Sequence, residues 1–151
     1  MTTVIGLVIV VLSGFTTLQF QMSEDTAAGD SILDHGDWLP FDEEDVSREL
    51  AQGRVVFVDF TADWCTTCKT IERFVLGDDA VVSTMERLNV ATFIGDWTTP
   101  DERITAVLTR YGRAGVPLYL VYSPSSPEEA FVLPETPTIE MVIEALEEAA
   151  R

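Results

Sequence analysis

The feature that most constrains this chain is a pair of cysteines, Cys65 and Cys68, placed directly behind a short apolar run. The run, Val55 to Phe60, is β-branched and aromatic, the pattern of a strand buried on both faces. A loop from Thr61 to Trp64 follows, and Cys65 to about Leu76 reads as a helix. These two thiols are the only ones in 151 residues, too few for a framework of structural bridges. They are either a redox pair or half of a metal site. A closed zinc site needs four ligands, and the one histidine, His35, stands far away in sequence, so no metal is expected. Two thiolates could still carry Cu(I), and that reading stays open.

A C-x-x-C pair alone says little. Between a buried strand and the start of a helix it says much more, because the first sulfur then meets unpaired backbone N–H groups that stabilise an anion. A thiolate there attacks a disulfide, and a second thiol one turn on resolves the mixed disulfide. Cys65 is the expected nucleophile and Cys68 the resolving thiol. Asp59 lies inside the apolar strand, where a charge is costly unless it has a use. Burial should raise its pKa, so that it can take the proton from Cys68. Glu72, four residues after Cys68 and seven after Cys65, shares their helix face and could tune the same transfers. The plainer alternatives are a hydrogen-bonded structural acid for Asp59 and a surface acid for Glu72.

Gly115-Val116-Pro117 precedes a later strand, and a proline at that point can hold a cis bond in a tight turn. Such a turn facing the cysteines would leave Val116 free to pair, strand to strand, with an extended substrate segment. Trp64 is expected on the apolar rim beside the nucleophile, with core packing as the alternative.

The remaining elements follow from caps and periodicity. Asp42 caps a helix through Gln52 that stops at Gly53. Ala80 to Leu88 is helical and Val90 to Gly95 a strand. Thr99-Pro100-Asp101-Glu102 combines a capping box with proline at the first helical position, opening a helix to Tyr111. Leu118 to Tyr122 and Ala130 to Leu133 are strands around a turn at Pro124 to Pro127, and a helix begins near Thr138. The order implies an α/β sandwich, a mixed four-stranded sheet flanked by helices in the thioredoxin arrangement, over residues 38–151.

Ahead of that domain, Thr2 to Phe20 carries no charge, and as a helix it would be about 28 Å long, enough to cross a bilayer core. Residues 1–21 are expected to be a hydrophobic helix that anchors the chain in a membrane, with a cleaved signal peptide as the rival reading. Residues 22–37 read as a flexible acidic linker. The formal charge of −17, with Lys69 the only lysine, repels phosphate and argues against nucleic acid as a partner.

The stretch from about Trp38 to Ala150 resembles the C-terminal thioredoxin-like domain of DsbD-type thiol:disulfide interchange proteins. The resemblance rests on Val55-Val56-Phe57-Val58-Asp59-Phe60-Thr61-Ala62-Asp63-Trp64-Cys65-Thr66-Thr67-Cys68-Lys69, then Asp96-Trp97-Thr98 and Gly115-Val116-Pro117-Leu118-Tyr119. It implies a protein-disulfide reductase without a bound cofactor, whose acids near the cysteines match Asp59 and Glu72. It also implies an extracytoplasmic domain, fed with electrons by a membrane partner with paired cysteines and serving extracytoplasmic proteins that contain disulfides. Family members carry a multi-span membrane domain, so residues 2–20 are expected to be either its last span in a truncated protein or the anchor of a stand-alone version. A thioredoxin devoted to cytochrome c maturation is the alternative within this class.

Overall fold

The computed structural model describes residues 38–151. The expected anchor over 1–21 and linker over 22–37 lie outside them. Among the described residues no helix is long and apolar enough to cross a membrane.

Alternating strands and helices build one layered α/β unit. The strands are β1 (Leu39–Pro40), β2 (Val56–Thr61), β3 (Ala91–Asp96), β4 (Leu118–Ser123) and β5 (Ser126–Leu133). The α-helices are α1 (Glu43–Ala51), α2 (Thr66–Ile71), α3 (Asp79–Arg87), α4 (Glu102–Arg110) and α5 (Ile139–Ala149). The sheet order is β1-β3-β2-β4-β5, with β1 and β2 parallel to β3, and β4 antiparallel to both β2 and β5. The sheet therefore has five strands rather than the expected four. The additional one is two residues long and contains proline, so it offers almost no alternation to read. It is held at the edge by pairing Leu39 with Phe93 and Pro40 with Ile94.

Strand β2 is central and every one of its residues is buried. Its alternation divides the core. Val56, Val58 and Phe60 pack with Phe93, Leu118 and Leu120 against Val46 and Leu50 of α1 and Val107 and Leu108 of α4. Phe57 faces the other way, with Tyr119, Val121 and Leu133, against α2, α3 and α5. Each large apolar side chain removed from water here contributes about 1.5–3 kcal/mol, so β2 can carry one buried acid among them. Gly95 is required by close packing: a Cβ there would lie 2.3 Å from Cδ1 of Phe60.

Three local details depart from the sequence pattern. The helix after Cys65 keeps α geometry only to Ile71 and then widens into a π turn, Glu72–Leu76, in which the Gly77 N–H reaches back to the Glu72 carbonyl at 2.8 Å. Glu72 and Leu76 are nonetheless both buried, on the helix face that the four-residue spacing from Cys68 marks. Helix α4 is capped by Asp101, whose carboxylate accepts from the N–H groups of Arg103 and Ile104, so Thr99 and Pro100 lie before the helix. An aspartate two residues further on supplies the acceptor that the capping box assigned to Thr99. Strand β5 starts at Ser126, ahead of Ala130, because the hairpin stays paired across a register shift at Tyr122/Ser123.

Candidate active site

The C-terminal end of β2 delivers the chain to Cys65, which caps α2: its Sγ accepts the Cys68 N–H at 3.2 Å. Cys65 and Cys68 are joined by a disulfide, with 5.3 Å between their Cα atoms. Cys68 is wholly buried, and Cys65 keeps 6% exposure. The first sulfur is thus largely covered at its helix start. The cover comes from Ala62 and Val116, which pack with the two cysteines as a small apolar cluster.

Val116 belongs to the turn before β4, and the Val116–Pro117 peptide bond is cis. The turn lies against the cysteine pair, and Pro117 presents no backbone N–H to it. On another side Trp64 is 58% exposed, with its indole N–H donating to the Thr98 carbonyl at 3.2 Å. Its ring lies 6.1 Å from that of Trp97. The alternative of core packing for Trp64 does not describe this position.

Trp97 and Thr98 were not singled out as site residues from sequence, yet they form the floor of the rim. Thr98 accepts the Asp63 N–H on its hydroxyl at 2.8 Å and is itself turned by Asp96, which accepts its N–H at 2.8 Å. Trp97 donates its indole N–H to Thr105 at 3.0 Å and bounds Gly115. The available signal was the position of Asp96-Trp97-Thr98 at the end of a strand parallel to β2, where loops of an open α/β sheet gather around a site.

Two buried acids, Asp59 and Glu72, act on each other electrostatically. Asp59 is fully buried on β2, on the face shared with Phe57 and Thr61. Its carboxyl is held well above the usual carboxylate range, chiefly by burial and further by the charge of Glu72, against a downward pull from Lys69. Glu72 is also fully buried, so it is not a surface acid. It accepts from the Thr61 hydroxyl and from Lys69 Nζ, at 3.1 Å to its nearer oxygen. The sequence order therefore brings Cys65, Cys68, Asp59, Glu72, Trp64, Val116 and Pro117 to one end of the sheet. Among the described residues, no group of three or more His, Cys, Asp or Glu side chains is arranged to hold a metal ion.

Residues 37–124 match the family model described as Thioredoxin-like. The DsbD 1 thiol:disulfide interchange protein of Pseudomonas aeruginosa is 36% identical over 76 residues, half of this chain but 12% of that protein. The DsbD of Ralstonia nicotianae is 32% identical over 80 residues, 53% of this chain and 13% of the relative. The chain thus spans about an eighth of the length of these curated relatives. Among solved structures, the oxidised C-terminal domain of Neisseria meningitidis DsbD superposes with a TM-score of 0.54 at 25% identity, covering 74% of this chain and 98% of that domain. A thioredoxin from Thermus thermophilus shares the fold with a TM-score of 0.59 at 24% identity, covering 74% and 84%. The chain belongs to the thioredoxin-like family and is similar to the C-terminal domain of DsbD-type thiol:disulfide interchange proteins.

Proposed function

We propose that this domain reduces disulfides in extracytoplasmic proteins, with Cys65 as the nucleophile and Cys68 as the resolving thiol. The observation that carries the reading is the asymmetry of the pair: Cys65 retains exposure and accepts the Cys68 N–H on sulfur, whereas Cys68 has no exposure at all. In the reduced protein the Cys65 thiolate attacks one sulfur of a substrate disulfide and displaces the other as a thiolate, which takes up a proton. Cys68 then loses its proton to Asp59 and attacks the Cys65 sulfur, releasing the second substrate sulfur as a thiolate that takes up that proton and leaving the Cys65–Cys68 disulfide. Two electrons and two protons pass to the substrate.

Asp59 suits the base role because burial and the charge of Glu72 raise its pKa, which makes its carboxylate a stronger proton acceptor than an exposed one. Glu72, fixed by Thr61 and Lys69, keeps a second charge against Asp59. Val116 beside Pro117 would bind substrate backbone, and Trp64 would supply apolar contact on the rim. Similarity to DsbD supports an extracytoplasmic setting, where protein disulfides persist. The domain would be tethered through residues 2–20 and linked by residues 22–37, and its electrons would come from a membrane partner with paired cysteines.

The direction of transfer is tested by the reduction potential of the Cys65–Cys68 couple. Equilibration with glutathione buffers should place it below about −180 mV for a reductase. A potential well above that value, at the oxidising end of the family, would reverse the proposed direction.

A further inference from the structure

Among the described residues, three buried side-chain oxygens have no hydrogen-bond partner: both carboxyl oxygens of Asp59 and the phenol oxygen of Tyr119. Buried polar groups without partners are uncommon and call for an explanation. These residues stand directly opposite each other in the antiparallel β2–β4 pair. Opposite residues of such a pair project from the same face, with Cβ atoms about 4.5–5.5 Å apart. One group offers a donor and the other, when ionised, offers only acceptors. The orphans are chemically complementary.

We propose that Tyr119 is a positioning residue for Asp59, its phenol donating to the carboxylate, directly or through one bound water, whenever Asp59 is ionised. The contact favours the charged form, and so keeps enough of the base available at neutral pH despite the burial. Tyr119 suits a permanent donor: burial first, then the charges of Asp59 and Glu72, raise its own ionisation far out of the working range. Glu72 and Lys69 act on Asp59 from α2 and its π turn, with the cysteine pair at the start of the same helix. The face is otherwise closed by apolar groups, Val81 and Met85 from α3 and Val142 and Leu146 from α5. Sequence gave no hint of the pairing, since a tyrosine in an apolar strand reads as core.

The inference builds on the reading of Asp59 as the base, and the experiment separates the two. In the full-length oxidised protein, the Asp59 carboxyl is titrated by 13C NMR in wild type and Tyr119→Phe, a substitution that removes only the hydroxyl. The expected result is an upward shift of about one pH unit in Tyr119→Phe. In disulfide-exchange kinetics the pH–rate limb should move by the same amount. Asp59→Asn and the Asp59→Asn/Tyr119→Phe double variant should then exchange at equal rates. An unchanged NMR titration overturns the proposal, because a purely structural tyrosine leaves Asp59 where it was. A shifted NMR titration with exchange rates indifferent to pH upholds the contact and removes Asp59 from catalysis instead.

Discussion

Lys69 and Glu72 form an ion pair at 3.1 Å in which the carboxylate is entirely buried and the lysine side chain is 16% exposed. The only lysine of a chain with formal charge −17 is thus committed to neutralising a buried acid. Breaking a buried pair by removing one partner typically costs about 3–5 kcal/mol. Solvent reaching Lys69 lessens this, and Thr61 still donates to Glu72. Lys69→Met should therefore lose about 2–3 kcal/mol in urea denaturation. Because Lys69 also pulls the Asp59 pKa down, the variant should slow exchange near neutrality and recover at higher pH.

Asp59 carries a stability signature of its own. Its native pKa is raised, chiefly by burial, so the folded state holds a proton that the unfolded chain releases at ordinary carboxylate pH. Between those two values the unfolded state binds fewer protons, and stability falls as pH rises. Asp59→Leu removes the titrating group and fills the site with apolar volume. Oxidised Asp59→Leu should exceed wild type by about 1–3 kcal/mol at pH 8, with the difference narrowing toward pH 4. Urea melts at the two pH values measure this, and a gap independent of pH would contradict the burial argument.

Gly95→Ala tests the close approach of β3 to β2. The added methyl would overlap the Phe60 ring, and both residues are buried. Overpacking of this kind costs about 1–3 kcal/mol or more. The loss should be partly reversed in Gly95→Ala/Phe60→Leu, where the ring is gone. Additive destabilisation of the two changes would show that the contact is not the cause.

The sequence was informative where residue chemistry and local order coincide. The buried run Val55–Phe60, the cysteines at its end and Pro117 before Leu118 locate the site because each has a strong local preference. The Asp42 cap is legible for the same reason, and its carboxylate accepts the N–H groups of Glu44 and Asp45. What escaped depends on partners distant in sequence. Leu39–Pro40 becomes a strand only because β3 offers a free edge. The helix face of Glu72 is legible from its spacing to Cys68, but its burial beside Thr61 depends on a strand eleven residues back. Tyr119 meets Asp59 only through strand register, 60 positions along the chain. Thr98 supports the rim through bonds to Asp63 and Trp64, from a loop 35 and 34 residues away.

The central claim is that Cys65 attacks and Cys68 resolves. Reduced Cys68→Ala, mixed with a disulfide-bonded peptide and analysed by intact mass and peptide mapping, tests it most directly. A stable mixed disulfide at Cys65 should accumulate, while reduced Cys65→Ala should form its adduct at least about ten times more slowly, since Cys68 lies without exposure beneath Val116 and Ala62. Equal or faster adduct formation at Cys68 would contradict the assignment and the site architecture built on it.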